Sequence, residues 1–159
     1  MGKFPEEAVT MLARIAAFTE AHRPRTSLAA RRELLRQTAA ATPGDAIASL
    51  VEHALDTVAC DAVLVPTRSG ATARSISSGK PRVWLIAPCS DAAVCQSLAF
   101  SYGVHAVDLA EEPSDWREFA AQRLHENAVA ADRVMLVAGP SPRNPNANHR
   151  IEIMRVAAP

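Results

Sequence analysis

Two loops of this 159-residue chain gather the residue types that suit an anion. The first, Val65-Pro66-Thr67-Arg68-Ser69-Gly70-Ala71-Thr72-Ala73-Arg74, sets hydroxyls and two arginines where an apolar run gives way to a helical pattern. The opening turn of a helix has N–H groups without intrahelical acceptors and the positive end of the dipole. A phosphate placed there gains hydrogen bonds and favourable charge, and Thr67, Ser69 and Thr72 add hydroxyl donors. Gly70 permits a close backbone approach. Ser and Thr also cap helices that bind nothing, so capping is the competing reading of the same residues. The second loop, Gly139-Pro140-Ser141-Pro142-Arg143-Asn144-Pro145-Asn146-Ala147-Asn148, is the one Pro/Asn-rich stretch of the chain and follows the last strand expected to be parallel.

Other reactive side chains have plainer readings. Cys60, Cys89 and Cys95 are odd in number and show no CxxC or zinc-type spacing. They predict buried thiols rather than a disulfide framework or a metal cluster. His53 reads as exposed and His105 as structural, leaving His149, in the second loop, as the histidine to test. Glu111, Glu112 and Asp115 lack metal-ligand spacing and read as a solvated loop and a helix start. No Ser-His-Asp or Cys-His arrangement follows from the order of residues, so no catalytic residue is nominated.

The elements that must position these loops follow from hydrophobic period. Pro5-Glu6-Glu7 opens a helix to about Glu20 with the apolar face Val9, Leu12 and Ala16, and Pro24 ends it. A second helix is predicted over Leu28–Ala40, with Arg31, Arg32 and Arg36. A third opens at Thr42-Pro43-Gly44-Asp45 and turns Ile47, Leu50, Val51, Ala54, Leu55 and Val58 to one side. Beyond Cys60 short apolar runs alternate with helix-length segments. Strands are expected at Ala62–Val65, Val83–Ala87, Val104–Leu109 and Arg133–Val137, and helices at Thr72–Ser78, Asp91–Tyr102 and Asp115–Ala130. That order implies right-handed crossovers and a mainly parallel sheet. Ile151–Val156 follows a loop too short for a crossover and is expected to pair antiparallel at an edge. The fold class is therefore α/β, with a mainly parallel sheet of about five strands, one of them an antiparallel edge strand. Ligands of such sheets bind at the carboxyl ends of the strands, where both loops lie.

Composition narrows the function. Seventeen basic and seventeen acidic residues cancel, which removes the global field that a nucleic-acid or membrane-surface binder would present. No stretch approaches the roughly 18 apolar residues of a membrane span, and no secretory signal pattern opens the sequence. A cytoplasmic protein is expected, without nucleic-acid or membrane partners.

The run LVPTRSGATARSISSGKPRVWLIAP resembles the segment of pyruvate kinases in which a Thr-x-Ser-Gly-x-Ser/Thr loop precedes a helix, an Arg/Lys-Pro stretch and a strand. GKFPEEAVTMLARIA, residues 2–16, is similar to that family's Gly-Lys-Tyr-Pro-x-Glu-Ala-Val-x-x-Met in the last helix of its catalytic barrel, with Phe4 for the usual Tyr. The resemblance implies a barrel-type helix and linker over residues 1–24 and a C-terminal-like domain, a three-layer sandwich, over 25–159. It implies an effector phosphate held by Thr67, Arg68, Ser69, Gly70 and Thr72, with Trp116, Arg117 and Arg123 in the region that meets a second phosphate in some members. Trp116, beside Ser114-Asp115, equally reads as a first-turn residue packed on the sheet. The stretch Asn146-Ala147-Asn148-His149-Arg150-Ile151 departs from the family's Gly-rich ending, which counts against a fructose-bisphosphate-like mode, while the resemblance leaves Arg143, Asn148 and Arg150 as phosphate-contact candidates.

Function follows in the same conditional sense. The resemblance implies a non-catalytic regulatory domain that binds a small phosphorylated metabolite, a sugar phosphate or a nucleotide. The alternative is an oligomerisation or interaction subunit of a split pyruvate kinase, whose partner is a copy of itself or a barrel-containing chain. An enzyme acting on a phosphorylated substrate ranks third. Phosphoryl transfer is not expected of these residues alone, since the lysine, arginines and carboxylates of the family barrel, with their magnesium and potassium, are not among them. No metal site or cofactor is expected in this chain.

Overall fold

The computed structural model describes residues 3–22, 43–141 and 146–156, and the chain divides into two compact units, Met1–Ala39 and Ala40–Pro159. In the first unit α1 spans Pro5–His22, with Glu6 and Glu7 in its first turn facing the positive end of the dipole. It buries none of its residues: Val9, Leu12, Ile15 and Phe18 are all exposed. The helix predicted over Leu28–Ala40 lies outside the described residues.

The second unit carries α2 (Pro43–Thr57), β1 (Ala62–Leu64), α3 (Ala71–Ser78), β2 (Trp84–Cys89), α4 (Ala92–Leu98), β3 (Val104–Asp108), α5 (Trp116–Glu126), β4 (Arg133–Ala138) and β5 (Arg150–Arg155). The sheet order is β3-β2-β1-β4-β5, parallel except for the antiparallel pair β4 and β5. This is the α/β architecture expected from the sequence. Alternate strand residues face opposite sides. Val63, Leu85 and Met135 pack with Val51 of α2, Ile76 of α3 and Leu98 of α4, whereas Leu64, Ile86 and Leu136 pack with Phe119 and Leu124 of α5. Helices thus cover both faces, giving three layers, and β1 is buried at every residue, as parallel strands between helix layers are.

Side-chain caps and one long-range tie fix the frame. Asp61 Oδ2 accepts from the N–H of Asp132 at 2.8 Å and of Arg133 at 3.0 Å, joining the entrances of β1 and β4 across 71 residues. Asp91 caps α4 and Asp115 caps α5, each accepting two backbone N–H groups. Both helices stop earlier than their sequence pattern suggests. After α4 the chain turns through Gly103, at φ +65°, whose carbonyl accepts from Leu85 N–H at 2.8 Å. After α5 Ala128 adopts φ 54°, and Val129 N–H reaches back to Leu124 O at 2.9 Å, the pattern of a helix C-cap. β2 runs two residues past its expected end, because the Pro88 carbonyl still accepts a hydrogen bond, from Thr67 N–H at 2.9 Å.

One residue of the expected α2 face is misplaced by periodicity. Leu50 is 56% exposed, and Ala48 stands in the core instead. Ala48, Ala54, Leu55 and Val58 sit three, four or seven positions from buried Val51, whereas Leu50 is one position away and so rotated onto the flank.

The cysteines depart from the sequence reading in part. Cys89 and Cys95 form a disulfide, their Cα atoms 6.0 Å apart. The Asp91 cap reverses the chain in two residues and brings the first turn of α4 back over the end of β2, a proximity that spacing alone does not reveal. Cys60 is a buried free thiol, as expected. Burial pushes its pKa up, against a smaller opposing pull from Arg133. The neutral thiol is therefore favoured by the fold. Its contribution to stability is complete below the unfolded thiol's pKa, about 8.5, and is lost as pH rises through the higher folded value. Urea unfolding at pH 7 and pH 10 should show a larger alkaline loss for the parent chain than for Cys60→Ala; equal losses would exclude this linkage.

Candidate functional site

Topology determines where a site can form. From β1 the chain steps outward to β2 and β3, then returns to lay β4 on the other side of β1. Loops leaving the carboxyl ends of β1 and β4 therefore diverge and leave a crevice between them, the position where open α/β sheets bind ligands.

The loop after β1 is held by its own backbone and hydroxyls. Thr67 N–H donates to Pro88 O at 2.9 Å, and Thr67 Oγ1 accepts from Gly70 N–H at 2.9 Å. Gly70, at φ +76°, is the N-cap of α3 and brings no side-chain acceptor to it. A Cβ added there would lie 2.5 Å from Arg74 Nη1, so this glycine makes room for the Arg74 guanidinium as well as for the left-handed turn. Arg74 is committed to the scaffold, donating from Nη1 to Ser69 O at 2.9 Å and from Nη2 to Ser97 Oγ at 3.2 Å. Ser69 Oγ accepts weakly from Ala71 N–H at 3.4 Å. Since each hydroxyl is engaged here as an acceptor, Thr67 and Ser69 keep their O–H protons to donate.

Two adjoining cavities flank this loop. The first, of about 410 Å³, is lined by Thr67, Arg68, Ser69 and Thr72 on one side and by Gly139, Pro140, Ser141 and His149 on the other. His149 is packed on Gly139, where an added Cβ would sit 2.7 Å from its Nδ1. The second, of about 540 Å³, shares Thr67, Arg68 and the Gly139–Ser141 segment and extends to the loops after β2 and β3, reaching Cys89, Ser90, Glu111, Glu112, Trp116 and Arg150. Shared walls make them two lobes of one cleft at the ends of all four parallel strands. Both volumes fall within the range of small-molecule pockets, roughly 300 to 1,000 Å³.

Of the residues singled out in the sequence, Thr67 and Arg68 line both lobes, Ser69 and Thr72 the first, and Trp116 and Arg150 the second. Gly70 and Asn148 line neither, and Arg143 lies outside the described residues. Arg68 makes no ion pair among the described residues, whereas Arg150 Nε pairs with Glu152 at 3.1 Å. Arg117 and Arg123 also line neither lobe. Arg123 pairs with Glu126 at 2.8 Å and lies over the Phe119 ring. Trp116 meets Phe119 edge to face at 5.6 Å, so the indole joins the core and the cleft wall together. Sequence reasoning missed Glu111 and Glu112, read as a solvated loop. Their position just past a parallel strand was the available signal, since every such loop ends at the crevice. Among the described residues no group of three or more His, Cys, Asp or Glu is arranged to hold a metal, and no helix is long and apolar enough to cross a membrane.

Comparison with known proteins places this geometry among relatives. Residues 45–156 match the family model described as the pyruvate kinase alpha/beta domain. A pyruvate kinase from Thermococcus litoralis is 40% identical over 106 residues, 66% of this chain and 22% of the relative. One from Bacillus licheniformis is 29% identical over 143 residues, 87% of this chain and 24% of the relative. The chain thus spans under a quarter of either of them. In fold it is similar to a crystal structure of a pyruvate kinase from Cryptosporidium parvum, with a TM-score of 0.75 at 23% identity, covering 98% of this chain and 31% of that one.

Proposed function

Because the chain belongs to the pyruvate kinase family, as its alpha/beta domain, we propose that it is a regulatory ligand-binding domain that takes a small phosphorylated metabolite in the cleft at the ends of β1 and β4. The observation that carries the reading is the meeting of the Thr67–Thr72 loop with the Gly139–Ser141 segment around Arg68, which makes no ion pair among the described residues. A phosphate seated there would receive the first-turn N–H groups of α3 and the O–H groups of Thr67, Ser69 and Thr72. The positive helix end and Arg68 would offset its charge. The reading is one of binding, and it assigns no nucleophile or base to the cleft.

Titration calorimetry and thermal denaturation with inorganic phosphate and a hexose monophosphate test this. Saturable heat is expected, with a melting point that rises with ligand. Binding that favours the native state adds about 2.7 kcal/mol at a hundred times Kd. Absence of both heat and shift at millimolar ligand would overturn the reading. It would leave a second one, an interaction subunit, which is favoured by the uncovered apolar residues Val9, Leu12, Ile15 and Phe18 of α1 and needs no phosphate ligand.

A further inference from the structure

Charge is distributed unevenly along the cleft. The lobe beside α3 carries hydroxyls and Arg68 and no carboxylate among the described residues; Arg68 also borders the second lobe, to which the loop after β3 adds Glu111 and Glu112. Neither carboxylate has a cationic partner among the described residues, and Glu112 Oε2 is closed off from solvent without accepting a hydrogen bond. Of the two arginines that border this lobe, Arg150 is already paired with Glu152, and Arg68 stands on the side shared with the first lobe. Trp116, half-buried on Phe119, lines the second lobe with part of its surface.

We infer that the cleft selects a phosphate monoester whose other end carries hydrogen-bond donors, and that Glu111 and Glu112 exclude a second phosphate from that end. This rests on the reading of the cleft as a phosphate site. Ionised carboxylates accept hydrogen bonds and donate none. Sugar hydroxyls or an amine arriving at them gain charge-assisted bonds, and the buried oxygen of Glu112 gains the donor it lacks once its side chain turns toward the ligand. A second phosphate brings two negative charges to the same wall and can receive no proton from it. The Trp116 surface suits the apolar face of a sugar ring held between the two ends.

Affinities of a hexose monophosphate, the corresponding hexose bisphosphate and inorganic phosphate, measured by calorimetry on the full chain, test the selection. The monophosphate is expected to bind about tenfold or more tighter than the bisphosphate, the scale of one or two like-charge contacts at a partly solvated site. In Glu111→Gln/Glu112→Gln that ratio should shrink by about tenfold, chiefly because the bisphosphate gains. Should the double variant fail to fold, exposed Glu111→Gln alone and the ranking in the parent chain carry the test. Phosphate binding combined with a bisphosphate that binds as tightly as the monophosphate, or a ratio unmoved by the substitutions, overturns the selection and leaves the phosphate site standing. If none of the three ligands binds, the phosphate site falls and the selection with it.

Discussion

Ser69→Asp is expected to weaken phosphate binding about a hundredfold or more while leaving the fold at least as stable as the parent. Ser69 is exposed, lines the first lobe and accepts from Ala71 N–H at 3.4 Å. An aspartate can accept the same hydrogen bond and, next to the positive end of α3, interacts favourably with the helix dipole. Stability therefore holds or rises. The same carboxylate stands where a dianion must sit and removes a hydroxyl donor, a combined penalty of about 3 kcal/mol, and each 1.4 kcal/mol is tenfold in affinity. A merely structural loop would show the stability effect alone. Calorimetry with a hexose monophosphate, paired with urea unfolding, separates the two. Affinity retained within about threefold in a stable variant would place the phosphate elsewhere.

Leu64→Ala should cost about 2 to 5 kcal/mol of unfolding free energy, the usual range for deleting a fully buried leucine when its surroundings close only in part. Leu64 lies in the central strand β1, shows no exposed surface and packs with Leu136, Ile86 and the α5 layer. A domain of this size has about 5 to 15 kcal/mol in total, so the loss is a large share of its stability. Leu50→Ala is the matched control. Periodicity assigns Leu50 to the core face of α2, yet it is 56% exposed, and its truncation should stay within about 0.5 kcal/mol. Urea midpoints of the two variants decide; equal losses would mean that the flank of α2 is covered.

The contrast between these leucines shows how far hydrophobic period reaches. It places a helix and its approximate face, because three- and four-residue spacing is a property of the helix itself. It leaves the edge of that face undefined, because the edge depends on what the helix packs against. Helix ends follow the same rule. The stops after Leu98 and Glu126 come from the turn at Gly103 and from left-handed Ala128, conformations held by contacts to Leu85 and Leu124 and not signalled by a proline.

The site divides in a similar way. The features for which Thr67, Arg68, Ser69 and Thr72 are proposed as an anion site are local, since a strand, a short hydroxyl-rich turn and a helix start are contiguous in the chain. The proximity of Cys89 to Cys95 is local but hidden, set by the turn at the Asp91 cap, whereas the placing of Glu111 and Glu112 in the same cleft as Arg68 is not local. That placing arises because β2 and β3 run parallel beside β1, so that loops about 20 to 40 positions apart leave the sheet at one edge.

The amino-acid sequence alone thus determined the strand and helix order, the antiparallel last strand, the family likeness and the residues suited to grip an anion, all through short-range pattern. Only the tertiary structure decided that the loop after β1 shares a cleft with the loop after β4, and that Glu111 and Glu112 line the second lobe of that cleft. The reason is the insertion of β4 beside β1, a pairing between segments 71 residues apart that Asp61 anchors and that no local propensity encodes.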